Sequence, residues 1–379
     1  MRIAIDVRSL MEGRHSGVEE YATKIIKGLT KNAPQHEYIF IYNSARSVDL
    51  SFLSSMGEVV AFRFPNKIFN LCQYFFNWPK WDNLIAKRIG YKPDIIFAPN
   101  SRLLPVEKSA TVVTVHDLSY ELFPEFYSIK HRVWHKLIKP RELMLAVSHV
   151  IAVSQATKED IVRLYGVPED KVTVVYSGVS PQPKNTPEKK LPSPNKIMKL
   201  PDKFVLYLGA MEPRKNIISV IEAYSSIADN VPQDLVIAGE SGWLMKGVEK
   251  TIKNSSAFKR IHCIGFVDEQ DKAELYRRAD LFVYPSFYEG FGFPPLEALL
   301  AGTPVITSHN SSLSEVVGNW ATMIDPYNVS ELALVMKEMI DDPPLVDEKI
   351  QEEILNKFSW DHAAQETLAV FDTVMRKRY

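Results

Sequence analysis

The chain alternates two patterns, and it does so twice. "RIAIDV" (2–7) is a short, continuous apolar run of the kind a fully buried strand needs. "GVEEYATKIIKGLTKN" (17–32) follows, with Val18, Tyr21, Ile25 and Leu29 at helical spacing. Further strand-like runs are "EYIFIY" (37–42), "DIIFAP" (94–99), "TVVTVH" (111–116), "HVIAVS" (149–154) and "KVTVVY" (171–176), most of them separated by helical segments such as 155–165. Strands that are apolar on both faces must be covered on both faces, so this alternation predicts parallel α/β sheets wound with helices on either side. The pattern breaks at "SPQPKNTPEKKLPSPNK" (180–196), which is rich in Pro, Ser and Lys and reads as an exposed linker. It restarts at "FVLYLG" (204–209) and runs through "DLVIAG" (234–239), "RIHCIG" (260–265), "LFVYPS" (281–286), "PVITS" (304–308) and "ATMID" (321–325).

The expected organisation is a first α/β half over 1–180, a linker over 181–200, a second half over 201–358, and a helix over 359–379 that crosses back to the first half. A length of 379 residues suits two domains. Ligands of such sheets sit beyond the carboxyl ends of the strands, so residues just after a strand are the candidates for chemistry.

Composition excludes several classes. Lys and Arg number 45 against 46 Asp and Glu, which gives no charge argument for nucleic acid. Cys72 and Cys263 are too far apart in sequence to suggest a disulfide framework or a metal cluster, and a reducing cytoplasm fits them. "MRIAIDVRSL" lacks the apolar core of a signal peptide, and no apolar run approaches a transmembrane length. The expectation is a soluble chain, attached at most to a membrane surface. Neither "GESG" nor "GFG" makes the G-x-G-x-x-G turn of a dehydrogenase.

The densest chemistry lies in "YPSFYEGFGFPPLEALLAGTPVITS" (284–308). Leu281–Tyr284 reads as a strand, 285–293 as the loop after it, and 296–301 as a helix opened by Pro294 and Pro295 and closed at Gly302. Glu289 then falls on the loop and Glu297 in the first helical turn. Gly290 and Gly292 let backbone approach a ligand, and the N–H groups of the helix start favour an anion. The bland alternatives are a solvated loop acid and an acid that complements the helix dipole. "MEPRKN" places Arg214 and Lys215 at the start of a helix after strand 204–208, where two cations could stabilise a leaving phosphate without a metal. "SGVEEY" puts Gly17 after the first strand, either for close approach to a phosphate or for a tight turn. "VHDLS" puts His116 and Asp117 at a strand end, where a lone histidine is ordinarily structural.

Two acids separated by seven residues, with Gly-Phe-Gly inside and "EALLAGTPVI" after, resemble the E-x7-E signature of the retaining GT-B glycosyltransferases of family 4, group 1. The resemblance extends through "YLGAMEPRKNI" (207–217), "LVIAGESG" (235–242), "IGFVDEQDKAELYRRAD" (264–280), "SSLSEVVGNWATMIDP" (311–326), "VHDLSYELFPEFYS" (115–128) and "IAVSQATKEDI" (151–161), nearly the whole chain. It is nearest to bacterial mannosyltransferases. It implies the GT-B fold: two Rossmann-like, doubly wound domains facing a cleft, with a nucleoside-diphosphate sugar held mainly by the second. It places Glu289 by the donor sugar and leaving phosphate, Glu297 on the ribose hydroxyls, and the backbone of Phe291, Gly292 and Phe293 on the sugar or phosphate. His116 would bond a donor-sugar hydroxyl, and His116, Arg214, Lys215 and Glu289 would be the catalytic set. Many relatives carry a double glycine where this chain has Ser16-Gly17.

The implied reaction moves a sugar, mannose by preference, from GDP-mannose or a UDP-sugar to a hydroxyl of a glycan or lipid-linked acceptor, with no cofactor and no metal. A sugar-nucleotide epimerase of the same shape and a non-catalytic nucleotide-sugar-binding protein are the other readings. On the acceptor side, "KIFNLCQYFFNWPKWDNLIAKR" (67–88) reads first as a core helix with a Trp-rich flank, and second as an amphipathic patch for a membrane surface. Lys130, His131 and Arg132 read as a solvated helix face or as contacts for an anionic acceptor.

Overall fold

A computed structural model describes residues 1–11, 17–46, 48–102, 104–181, 200–240 and 245–378. The linker read over 181–200 therefore falls, from 182 to 199, outside the described residues. The chain forms two units, Met1–Tyr120 with Ile129–Gly178 and Phe358–Tyr379, and Glu121–Ser128 with Val179–Lys357.

In the first unit, seven strands form one parallel sheet in the order β3-β2-β1-β4-β5-β6-β7. They are β1 (Arg2–Asp6), β2 (Glu37–Asn43), β3 (Glu58–Phe62), β4 (Ile95–Ala98), β5 (Ala110–Val115), β6 (His149–Ala152) and β7 (Val172–Val174). The inner strands β4, β5 and β6 are buried along their whole length, as their unbroken apolar runs require. β6 ends two residues earlier than read, because a polar side chain takes over the backbone there. After β6, Ser154 accepts the Thr157 N–H (3.1 Å) and caps the helix Gln155–Tyr165. The edge strand β3 is absent from the sequence reading. Its residues alternate between burial and partial exposure, so it lacks the continuous apolar run of the others. The terminal helix Trp360–Arg376 belongs to this unit and lies along α1 (Gly17–Asn32), with Lys31 paired to Asp361 at 2.8 Å.

The stretch 67–88 departs from its first reading as a core helix. It forms two helices, α2 (Asn66–Phe76) and α3 (Trp81–Ile89). Only Phe69 and Gln73 of α2 are buried, whereas Ile68, Leu71, Phe75, Phe76 and Trp78 are between 54% and 73% exposed. Among the described residues no helix is long and apolar enough to cross a membrane.

In the second unit, six parallel strands run in the order β10-β9-β8-β11-β12-β13. They are β8 (Phe204–Leu208), β9 (Asp234–Ala238), β10 (Ile261–Gly265), β11 (Leu281–Tyr284), β12 (Val305–Ser308) and β13 (Thr322–Ile324). The core under this sheet is mainly aliphatic, with Val205, Leu235, Leu281 and Ile306 against Val220, Ile221 and Met336 of the covering helices, and it also takes in Tyr207 and Tyr224. The segment Glu121–Ser128 groups with this unit: Phe126 stacks on Phe287 and Phe123 leans on Tyr288, flanking the loop after β11.

Candidate active site

The strand order of the second sheet reverses between β8 and β11, and the loops leaving their carboxyl ends diverge there. Those two loops carry Arg214, Lys215 and Glu289. The loop after β8 is tied to the one after β9 by the Met211 N–H, which donates to the Glu240 carbonyl (3.1 Å). At the root of that junction Gly239 adopts φ +140°, and a Cβ built there would lie 1.9 Å from the Gly209 carbonyl oxygen. Only glycine permits the two loops to leave the sheet so close together.

Arg214 and Lys215 do not begin an α-helix, as the sequence reading had it. Pro213 starts a single 3₁₀ turn, Pro213–Lys215, and Asn216 then turns left-handed (φ 55°) before the helix Ile217–Ile227. Proline presets the first position of such a turn, and asparagine tolerates the left-handed one. The Asn216 side chain fixes the break by donating to the Pro326 carbonyl (2.7 Å) and accepting from the Ser219 hydroxyl (2.7 Å). The turn aims both cations at Glu289.

Glu289 is 7% exposed and fully engaged. Arg214 Nη1 lies 3.0 Å from Oε2, and Lys215 Nζ lies 2.7 Å from Oε1. Oε1 also accepts from the Tyr284 hydroxyl (2.9 Å) and the Ser286 hydroxyl (2.7 Å). Lys215 donates to the Tyr284 hydroxyl as well, and Arg214 to the Tyr288 carbonyl. Ser312 pins the loop from behind by donating to the carbonyls of Glu289 and Phe291, each at 2.9 Å. Burial works to raise the Glu289 carboxyl, but Arg214, Lys215 and the hydrogen bonds from Lys215 and Ser286 outweigh it and hold the group at about 2. Lys215 is pushed down, because burial and the neighbouring Arg214 outweigh its attraction to Glu289.

A carboxyl lowered by folding contributes stability that is complete above its ordinary value of 4.5 and is lost as pH falls toward about 2. Replacing it by an amide should flatten that acid limb. Denaturant titrations of Glu289→Gln at about pH 7 and about pH 3 should differ less than those of the native chain; an equal difference would mean the group is not held down.

Glu297 sits one turn deeper than expected. The helix runs Phe293–Leu300, so Glu297 is its fifth residue and not a first-turn acid. The helix begins early because Gly292, at φ +103°, turns the chain directly into it. Glu297 is held from the neighbouring helix Glu269–Arg278: Lys272 Nζ lies 2.8 Å from Oε1, and the Tyr276 hydroxyl donates to Oε2 (2.9 Å). Phe291 is buried, and Phe293 opens the helix between the two acids.

The remaining candidates lie in the first unit. His116 follows β5; its Nε2 donates to the Pro99 carbonyl (2.9 Å), and its ring meets Tyr21 edge-on with centroids 4.9 Å apart. Burial lowers the imidazole against the opposing effects of Pro99 and Asp117, which favours the neutral ring with Nδ1 as an acceptor. Asp117 Oδ1 accepts the Ser119 N–H (3.0 Å) and hydroxyl (2.7 Å), so it caps the following turn. Gly17 is exposed as the first residue of α1, and Ser16 lies outside the described residues. Lys130, His131 and Arg132 are all exposed on the helix Ile129–Leu137.

The fold thus gathers Arg214, Lys215 and Glu289 into one ion-paired cluster, with Glu297 in a second at the far end of the same loop and helix. Sequence reasoning missed Tyr284, Ser286, Lys272 and Tyr276. Tyr284 and Ser286 lie within the motif itself, in its opening "YPS". Lys272 and Tyr276 carry a weaker signal, a cation and a hydroxyl four apart on one helical face. Among the described residues no group of three or more His, Cys, Asp or Glu is placed to hold a metal ion.

Residues 192–355 match the family described as Glycosyl transferases group 1, and residues 15–183 match Glycosyltransferase Family 4. The O-antigen chain mannosyltransferase B of Escherichia coli is 31% identical over 286 residues, 74% of this chain and 74% of that one. Sucrose-phosphate synthase from Thermosynechococcus elongatus superposes with a TM-score of 0.75 at 18% identity, over all of both chains. HepE from Anabaena, in its complex with UDP-glucose, gives 0.72 at 19% identity over 98% of this chain and 100% of its own. The fold is that of the GT-B glycosyltransferases, and the chain belongs to the group 1 glycosyltransferases of family 4.

Proposed function

We propose that this glycosyltransferase is a retaining, metal-independent enzyme that moves mannose from GDP-mannose to a hydroxyl of a glycan or lipid-linked acceptor in polysaccharide synthesis. A UDP-sugar is the alternative donor. The work is cytoplasmic, with peripheral contact at a membrane where the acceptor is lipid-linked. The carrying observation is the convergence of two largely shielded cations, Arg214 and Lys215, on Glu289 at the switch point of the second sheet. The mannosyltransferase relative supports the choice of sugar, and the UDP-glucose complex of HepE supports a nucleotide-sugar donor. The relative and the first neighbour named above are a mannosyltransferase and a synthase, so neither the epimerase nor the binding-protein reading is favoured.

As the bond between the sugar C1 and the phosphate oxygen lengthens, negative charge grows on the leaving phosphate. Arg214 and Lys215 would meet that charge from positions fixed in advance, where a low dielectric makes each worth more than in water. Glu289, held ionised, can accept only, which suits it to donor-sugar hydroxyls and keeps both cations in place. The acceptor hydroxyl attacks from the face the phosphate vacates and gives its proton to that phosphate, so the anomeric configuration is kept. N–H groups over Phe291, Gly292 and Phe293 complete the phosphate contacts. His116 is assigned a donor-sugar hydroxyl through Nδ1, and Gly17 the phosphate.

Glu297 is assigned the ribose hydroxyls. A ribose contact is uniform binding, so Glu297→Ala should raise donor KM by about tenfold to a hundredfold with a smaller effect on kcat. Tyr276→Phe should raise KM about threefold to tenfold, because the carboxylate loses one of its two anchors. A fall in kcat at constant KM would remove the ribose role.

The decisive assay screens sugar nucleotides with and without acceptor and reads nucleotide release and the anomeric configuration of the product. Acceptor-dependent release, a retained anomer and full activity in EDTA are expected. Inversion, or activity lost in EDTA and restored by Mg²⁺ or Mn²⁺, would overturn the mechanism.

A further inference from the structure

α2 is eleven residues long, about 16 Å, far too short to span a bilayer. Its two sides differ in what covers them. Phe69 and Gln73 turn inward, and Phe69 packs edge-on against Trp81. Ile68, Leu71 and Phe75, at helical spacing on the other side, face solvent together with Phe76 and Trp78. Phe76 is 73% exposed and Trp78 63%. A contiguous run of large apolar side chains at such exposure marks an interaction surface rather than ordinary surface scatter.

The exposed charges along 63–88 have one sign, and the exposed acid beside α3, Glu107, is paired with Lys92. Arg63, Lys67, Lys87 and Arg88 are exposed. The only acid between 63 and 88 is Asp82, which is fully buried and engaged by the backbone N–H groups of Glu107, Lys108 and Ser109. Cations around aromatic and aliphatic side chains are what an anionic lipid interface selects: the rings enter the headgroup layer and the cations meet the phosphates. The position also fits. Arg8, two residues beyond β1, lies over the Trp81 ring at 5.0 Å, so α2 and α3 pack at the carboxyl edge of the first sheet, where ligands bind. The same mixture recurs on the helix Ile129–Leu137, where Ile129 and Val133 are exposed beside Lys130 and Arg132.

We infer that the outer face of α2, with Trp78 and its basic rim, is a docking surface for an anionic lipid bilayer, lying in the interface plane and presenting the carboxyl edge of the first sheet to a lipid-borne acceptor. The inference rests on the lipid-linked acceptor reading, but it is tested without donor or acceptor, so its failure leaves the transferase reading standing.

The full chain is sedimented with vesicles of phosphatidylcholine alone and of phosphatidylcholine with about 30% phosphatidylglycerol. Binding to the anionic vesicles should exceed binding to the neutral ones by about tenfold or more, and should weaken in high salt. Phe75→Ser with Phe76→Ser should lower binding to anionic vesicles by about tenfold or more, and Lys67→Glu with Lys87→Glu by a similar factor, with melting temperature unchanged because these side chains are exposed. No binding to anionic vesicles, or binding unaffected by both pairs, would overturn the inference. So would a dimer in light scattering that the Phe75/Phe76 variant dissolves without any vesicle binding, since the face would then belong to a second copy.

Discussion

Lys215→Met and Arg214→Met should each lower kcat by about a hundredfold to a thousandfold, the range for removing one preorganised charge from a developing anion, worth about 2–4 kcal/mol. The effect is large because both cations are largely shielded beside the same carboxylate, with side chains 11% and 13% exposed, and solvent cannot readily take their place. Each variant carries a second cost. With one cation gone, Glu289 keeps its charge beside only the other cation, in a site where its side chain is only 9% exposed, and stability falls by part of the roughly 3–5 kcal/mol that stranding a buried charge costs. The two effects separate by temperature. With kcat measured well below each variant's melting temperature, where the chain is folded, a loss of stability alone would leave turnover intact, so turnover should stay low there. If it were near native, Lys215 would be a structural partner of Glu289 and no part of the chemistry.

Gly239→Ala should destabilise the second unit by about 3 kcal/mol or more. The residue sits at φ +140°, and the built Cβ meets the Gly209 carbonyl oxygen at 1.9 Å and its carbon at 2.7 Å. Those atoms are backbone and cannot rotate away. The Gly209 N–H donates to the Ala238 carbonyl (3.0 Å) and the Gly239 N–H to the Gly265 carbonyl (2.8 Å), so a shift at either residue breaks the carboxyl ends of the ladder from β8 to β10. The loop bearing Arg214 would move with it, and nucleotide affinity should fall too. Gly166→Ala is the control. It shares a positive φ of 66°, but a Cβ there meets nothing within 4 Å, so only the backbone strain of about 1 kcal/mol applies. Equal losses in chemical denaturation would mean the close approach at Gly239 is easily relieved.

The inner strands were legible because a strand covered on both faces must be apolar throughout, and β11 falls at 281–284 as read. β3 was not, because an edge strand half open to solvent carries no such run. Arg214, Lys215 and Glu289 could be named, but not their pairing, since the turn that aims the cations depends on Asn216 adopting a left-handed conformation that no periodicity reveals. Tyr284 was read only as the end of a buried strand; its hydroxyl joins the cluster by bonding Glu289, five residues on, a contact no periodicity reveals. The partners of Glu297 lie 21 and 25 residues upstream on another helix, and that contact is set by packing. For α2, apolar residues occupy both sides of the helix, so the sequence could not tell the covered side from the open one.

In the mechanism proposed, the two loops at the switch point of the second sheet grip a nucleoside-diphosphate sugar. A crystal structure of the full chain with GDP, and with UDP as the comparison, tests it most directly. The phosphates should lie within hydrogen-bond reach of Arg214 and Lys215 and the ribose hydroxyls on Glu297, with Lys272 and Tyr276 still holding that carboxylate. A nucleotide bound elsewhere, or bound here with its phosphates away from both cations, would contradict it.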